Sequence, residues 1–152
     1  MPGIGSTSWG WCVTAGGELL LDTGALVAVL HGGDRDHRRC ADVLTAFRGT
    51  LLTTEAVLTE AMYLLGRARG GRAACLEFFA RGGATLIPQS RDSLLRCQAL
   101  MSRYEDVPMD FADATLVALA EEVGTRRVFT LDRRGFQAYR VGRRERFVLV
   151  PE

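Results

Sequence analysis

The chain has 152 residues, of which 47% are hydrophobic and 24% are charged, and its formal net charge is +1 at pH 7. This length and apolar content predict one domain with its own hydrophobic core. All 19 basic residues are Arg, and the absence of Lys excludes a phosphate-binding P-loop and Schiff-base chemistry. The four Cys residues show no paired C-x-x-C spacing, so a structural zinc site is not expected.

Residues 1–17 are rich in Gly, Ser and Thr and show no hydrophobic period, which predicts an irregular N-terminal extension before a domain at residues 18–152. From there, short apolar runs alternate with helical stretches. In chain order we predict a strand at 19–21, helices at 25–30 and 36–47, a strand at 51–53, a helix that contains Glu60, a helix that contains Cys75 to Phe79, a strand at 84–87, helices at 90–104 and 111–123, and strands at 127–131 and 147–150.

Local signals mark several of these boundaries. Thr54 can cap the helix that contains Glu60, and Asp110 can cap the helix that starts at Phe111. Gly124 is placed to end that helix, and Pro88 is placed to end the strand predicted at 84–87. The alternation of strands and helices predicts an α/β fold, a three-layer α/β/α sandwich with a mostly parallel sheet of four or five strands.

Four acidic residues occupy positions that suggest a shared site. Asp22 and Asp132 directly follow predicted strands, and the carboxyl ends of parallel strands form the usual ligand-binding edge of such a sheet. Glu60 and Asp113 interrupt apolar helix stripes, Glu60 beside Val57, Ala61 and Leu64. An unpaired buried carboxylate is costly, so such groups usually meet a metal, a cation or dense hydrogen bonding.

Clustered carboxylates repel each other, and hard divalent cations such as Mg²⁺ or Mn²⁺ relieve that repulsion. A metal ion in such a site activates water to attack a phosphodiester. No Ser, Cys or Asp is arranged with His31 or His37 in a way that would provide an alternative nucleophile. The sequence therefore favours metal-assisted hydrolysis of a phosphodiester by water.

Each acid also has a purely structural interpretation. Asp22 and Asp110 can act as helix caps, with Asp113 in a first turn that favours negative charge, and Asp132 can form an Asx-turn. Glu60 can form an ion pair with an Arg. By contrast, Glu121 is expected to be a surface acid at which a change to Gln has little effect.

The order of these motifs resembles that of PIN domains, and most closely the VapC-type ribonuclease toxins. The resemblance is carried by the segments LLDTGAL at 20–26, TEAMYLL at 59–65, MDFADATLVALA at 109–120 and TLDRRGF at 130–136. It implies that Asp22, Glu60, Asp113 and Asp132 hold Mg²⁺ or Mn²⁺, with Asp110 and Thr130 as auxiliary residues.

The same resemblance implies cleavage of RNA, a homodimer and, for toxins, an antitoxin whose tail covers the acidic groove. A PIN nuclease that processes RNA without an antitoxin, and a non-catalytic RNA- or protein-binding module, remain the alternatives. Arg133 and Arg134 are expected either to contact RNA phosphates or to be ordinary surface charges. With no signal peptide and no apolar stretch long enough to span a bilayer, we expect a cytoplasmic protein without a membrane partner.

Overall fold

The computed structural model describes residues 16–152, and the N-terminal extension predicted for residues 1–17 lies almost entirely outside this part of the chain. The described residues form seven helices: α1 (Thr23–Leu30), α2 (His37–Ala46), α3 (Glu55–Leu65), α4 (Gly71–Ala80), α5 (Arg91–Arg103), α6 (Phe111–Val123) and α7 (Arg133–Ala138). They also form seven strands: β1 (Glu18–Leu21), β2 (Thr50–Thr54), β3 (Thr85–Ile87), β4 (Arg127–Phe129), β5 (Arg140–Val141), β6 (Glu145–Arg146) and β7 (Val148–Val150).

Five of the strands form one sheet in the order β3-β2-β1-β4-β7, and all neighbouring pairs are parallel. The central strand β1 has three successive side chains, Leu19 to Leu21, each at most 1% exposed. Because successive side chains of a strand point to opposite faces, both faces of the sheet must be covered by helices. The predicted three-layer α/β sandwich with a mostly parallel sheet is confirmed.

The local signals fix several element ends as predicted. Thr54 caps α3 by accepting a bond from the Val57 amide, and Gly124 ends α6 in the left-handed conformation at φ 73°. The bounds of α6 agree with the prediction at both ends. Helix α1 begins at Thr23, two residues earlier than predicted, because Asp22 itself caps it.

The end of the chain differs most from the prediction. The strand predicted at 127–131 ends at Phe129, and helix α7 and the small antiparallel pair of β5 and β6 follow where no element was predicted. Asp132 caps α7 by accepting a bond from the Gly135 amide. Among the helices formed by residues 16–152, none has both the length and the apolar character needed to cross a bilayer.

Candidate active site

Asp22 lies at the carboxyl end of the central strand and is only 6% exposed. One carboxylate oxygen, Oδ1, accepts a bond of 2.8 Å from the Thr23 amide, so the residue caps α1 as its structural interpretation predicted. The other, Oδ2, accepts a bond of 2.6 Å from the Thr130 hydroxyl. Burial raises the pKa of Asp22 to about 6, against the lowering effect of these two bonds. Hydrogen bonds thus hold the carboxylate in place, while burial makes its ionised form unfavourable.

Glu60 reaches the same region from α3. Its Oε2 accepts a bond of 2.7 Å from the hydroxyl of Thr23, the residue next to Asp22. The apolar stripe of α3 differs from the predicted one, because Leu64 is 39% exposed and Leu65 is buried in its place. Glu60 is therefore half-buried at the flank of the stripe, where a polar partner can reach it.

Asp110 and Asp113 start α6 as a reciprocal capping pair. Asp110 accepts a bond of 2.8 Å from the Asp113 amide, and the Asp113 carboxylate accepts one of 3.4 Å from the Asp110 amide. Burial, helped by the charges of Asp110 and Asp22, raises the pKa of Asp113 to about 7, against the lowering effect of the bonds from Tyr139 and the Asp110 amide. The capping role predicted for Asp110 is present, and its carboxylate also adds negative charge near Asp113.

Tyr139 is a partner of Asp113 that the sequence analysis missed. Its buried side chain donates a bond of 3.1 Å from the hydroxyl to Oδ2 of Asp113. Burial and the neighbouring carboxylate of Asp113 raise the pKa of the Tyr139 hydroxyl, so it stays a donor. The signal that could have revealed it is the spacing of Phe136 and Tyr139, which is typical of one face of a short helix after Asp132.

Thr130 connects Asp22 with Asp132. Its hydroxyl donates to Asp22 and accepts a bond of 2.9 Å from the Asp132 amide. The Asp132 carboxylate is exposed, and its Oδ1 accepts a bond of 3.0 Å from the Gly135 amide. A Cβ atom at position 135 would collide with the Asp132 carboxylate, which explains the Gly there. Thr130 therefore acts directly on an acid of the site.

Asp22 stands at the electrostatic centre of the group. The charges of Glu60 and Asp132 raise its pKa, and its own charge raises the pKa of Asp113. The ion pairs within residues 16–152 involve none of these acids, so the predicted alternative of an Arg partner for Glu60 is not found there. These carboxylates are close enough to repel each other and lack a compensating cation within the described structure.

The donor set fits a hard divalent cation, since carboxylate oxygens are the ligands that Mg²⁺ and Mn²⁺ prefer. In the described part of the chain, however, no three His, Cys, Asp or Glu side chains form a ready set of ligands for one ion. Several of the carboxylate oxygens are instead directed to helix caps and hydroxyl groups. Binding of a cation would therefore require the carboxylates to turn toward a common point.

The two basic residues after Asp132 differ in their surroundings. Arg133 donates a bond of 3.2 Å to the Pro151 carbonyl. Arg134 is exposed and lines a cavity of about 160 Å³ together with Asp132 and Tyr139. Of the two, Arg134 is thus the one that adjoins the acidic group directly.

Comparisons with known proteins identify the family of this chain. The family model described as PIN domain matches residues 19–142. Ribonuclease VapC26 of Mycobacterium tuberculosis is 30% identical over 135 residues, which cover 88% of this chain and 100% of that protein. The chain therefore belongs to the PIN domain family, as a VapC-type ribonuclease.

Solved structures show the same fold. Mycobacterium tuberculosis VapC20, described as a toxin that cleaves the sarcin–ricin loop, has a TM-score of 0.66 at 22% identity, covering 75% of this chain and 89% of that one. A toxin–antitoxin complex from Klebsiella pneumoniae has a TM-score of 0.59 at 20% identity, covering 79% and 91%. Rickettsia felis VapBC2, bound to promoter DNA, has a TM-score of 0.62 at 14% identity, covering 88% and 97%.

Proposed function

We propose that this ribonuclease hydrolyses RNA with the help of Mg²⁺ or Mn²⁺, held by four acids. These are Asp22, Glu60, Asp113 and Asp132. The observation that carries the proposal is the buried Asp22 carboxylate at the end of the central strand. The charges of Glu60 and Asp132 raise its pKa, and its own charge raises the pKa of Asp113. Within residues 16–152, none of the four acids forms an ion pair. Domain and site together would occupy residues 18–152.

When bound, a divalent cation supplies Lewis-acid activation of water and neutralises the charge that develops on the phosphodiester. The residues of the chain orient its ligands. Thr130 fixes one oxygen of Asp22, Thr23 fixes one of Glu60, and the Tyr139 hydroxyl fixes one of Asp113. Asp110 is auxiliary, since its backbone and carboxylate hold Asp113 at the start of α6.

Arg133 and Arg134 are proposed to position phosphates of the RNA on the Asp132 side. Both are exposed, and Arg134 is the stronger candidate because it shares a cavity with Asp132, whereas Arg133 already donates to the Pro151 carbonyl. Arg contacts to phosphates release condensed counterions, so binding should weaken as salt rises. These contacts carry affinity and no information about the base sequence.

The biological role that fits best is that of the toxin of a toxin–antitoxin pair in the cytoplasm. The resemblance to VapC26 and to the Klebsiella and Rickettsia structures, which are described as toxin–antitoxin assemblies, supports an antitoxin partner. A homodimer is part of the same proposal. The alternatives are an RNA-processing nuclease without an antitoxin and a non-catalytic binding module. Since all four acidic positions are filled, the catalytic interpretation is favoured over the last of these.

The proposal is tested by brief induction of the wild type and of Asp113→Asn, with sequencing of RNA 5′ ends and measurement of growth. We expect Asp113→Asn to remain folded and to lose cleavage by more than about a hundredfold. Even changes to residues that only orient metal ligands lower metal affinity or activity by about 10–100-fold. Glu122→Gln, an exposed acid on the same helix, is the matched control and should retain activity. Full cleavage by a folded Asp113→Asn protein would contradict the proposed site.

A further inference from the structure

A cavity of about 700 Å³ adjoins the acidic group between α3 and the start of α6. Glu60 and Asp110 form part of its lining, so the cavity opens directly beside the proposed site of cleavage. Its volume lies within the range of about 300–1,000 Å³ that is usual for sites of small molecules. A nucleotide next to a phosphate held at the acids would therefore reach this cavity.

Two exposed aromatic side chains line the same cavity. Tyr63 is 68% exposed and Phe111 is 43% exposed, although large aromatic side chains are usually much more buried. Each is adjacent to an acid: Phe111 directly follows Asp110, and Tyr63 lies one helical turn after Glu60 on α3. The aromatic surface and the acids thus belong to one continuous surface.

The charge of the lining selects the kind of group that can enter. Glu55, Glu60 and Asp110 line the cavity, and no Arg or His of the described chain does so. A phosphate inside the cavity would be repelled by these carboxylates, whereas an uncharged aromatic ring would not. Nucleobases stack readily on aromatic side chains, and such stacking tolerates any base because every base has a π-face.

We propose that Tyr63 and Phe111 form a stacking site for an unpaired base next to the phosphodiester that is cleaved. This inference rests on the proposed function and assigns the place of one base beside the phosphodiester that is cleaved. Gln89, which also lines the cavity, accepts a bond of 2.9 Å from the Ser93 hydroxyl through its amide oxygen. Its NH2 group is a donor that can bond to a carbonyl or ring nitrogen at the base edge.

The first experiment measures cleavage of a short single-stranded RNA by Phe111→Ala and Tyr63→Ala. We expect each change to raise KM about tenfold, as for the loss of one stacked base, and to leave kcat nearly unchanged. Tyr63→Phe retains the ring and should therefore raise KM less than Tyr63→Ala does. Leu95→Ala, an exposed apolar position on α5 outside this cavity, is the control for a general loss of apolar surface. An unchanged KM in both Ala variants would overturn the proposal.

The second experiment reports on the base itself and does not depend on cleavage. The fluorescent base 2-aminopurine is placed at successive positions of the RNA, which is bound to the full-length Asp113→Asn protein in the presence of Mg²⁺. We expect its fluorescence to be quenched at one position and the quenching to be lost when Phe111→Ala or Tyr63→Ala is added. Equal fluorescence at every position would overturn the stacking site.

These readouts separate failure of the inference from failure of the proposed function. If the wild type cleaved no RNA while one 2-aminopurine position was still quenched, the stacking site would stand and the proposed catalysis would fail. If Phe111→Ala and Tyr63→Ala broke up a dimer and left the quenching unchanged, both aromatic residues would belong to a protein interface and the inference would be overturned.

Discussion

Hydroxyl groups of single residues donate hydrogen bonds to three of the four acids. The pairs are Thr130 with Asp22, Thr23 with Glu60, and Tyr139 with Asp113. For Glu60 and Asp113, the bond to one carboxylate oxygen restricts the rotation of the group and leaves the other oxygen for a ligand, whereas both oxygens of Asp22 accept bonds. Such outer partners commonly orient metal ligands and influence metal affinity.

Tyr139→Phe is therefore expected to lower Mn²⁺ affinity and RNA cleavage by about tenfold, within the usual range for outer partners of metal ligands. The ring remains in the core, where it packs edge-to-face against Tyr104 with centroids 5.1 Å apart. Mn²⁺ affinity is measured by electron paramagnetic resonance of the free ion, beside the thermal stability of the metal-free protein.

Tyr104→Phe is the matched control for this change. Tyr104 is also buried, and its hydroxyl accepts a bond of 2.9 Å from the Arg140 amide, which does not involve any acid of the site. Its loss should lower the free energy of unfolding by about 1 kcal/mol and leave Mn²⁺ affinity unchanged. Equal effects of both variants on Mn²⁺ affinity would show that the bond from Tyr139 to Asp113 has no specific role in metal binding.

The positions of the acids follow from the sequence because strand ends and helix stripes are local patterns. Of their hydroxyl partners, Thr130 was named from the family resemblance, but Thr23 and Tyr139 were not, since Thr23 and Glu60 are 37 residues apart and Tyr139 and Asp113 are 26 apart. Glu121 illustrates the same limit. The sequence suggested an ordinary surface acid, but its carboxylate forms bonds of 2.7 and 2.8 Å with Arg96. A change at Glu121 would break this pair, so Glu122 is the appropriate control.

At the scale of elements, Asp110 combines capping of α6 with a charge near Asp113, and the two roles can be separated. Asp110→Ala removes the cap and should lower the free energy of unfolding by about 1 kcal/mol. Asp110→Asn keeps a good capping side chain and should leave stability nearly unchanged. Urea unfolding of the two variants checks this. Equal destabilisation by Ala and Asn would mean that the charge, and not the cap, supports the helix.

The long elements were predictable because they carry a hydrophobic period and end signals, and the short elements do not. Helix α6 has 13 residues with a Pro-Met-Asp entry and a Gly end, so its bounds follow from the sequence. Helix α7 has only 6 residues, and strands β5 and β6 have 2 each, too few for a hydrophobic period. They depend instead on contacts made at a distance, such as the bonds of Arg103 to the Gly142 and Arg143 carbonyls.

For the whole molecule, the raised pKa of Asp22 predicts how stability without metal depends on pH. A proton binds more tightly to Asp22 in the folded state, whose pKa is about 6, than in the unfolded state near 3.8. This contribution is fully present below the unfolded pKa and is lost as the pH rises through the folded value. Asp113, with a pKa of about 7, acts in the same direction.

The free energy of unfolding of the metal-free protein should therefore fall as the pH rises from the ordinary Asp value toward neutrality. A shift of roughly two pKa units corresponds to at most about 3 kcal/mol from Asp22. Urea unfolding as a function of pH, with EDTA present, measures this. Asp22→Asn should show a shallower slope, and an equal slope in both proteins would assign the effect to other groups.

A bound cation should reverse this electrostatic cost, because it binds the folded cluster and hardly binds the unfolded chain. At a concentration about a hundred times the dissociation constant, it should add roughly 2.7 kcal/mol to the free energy of unfolding. The most direct measurement is the melting temperature as a function of Mn²⁺ concentration, for the wild type and for Asp22→Asn combined with Asp113→Asn. We predict a saturable rise in the wild type that is absent from the double variant, whereas an equally large rise in both proteins would place the ion elsewhere and contradict the four-acid site.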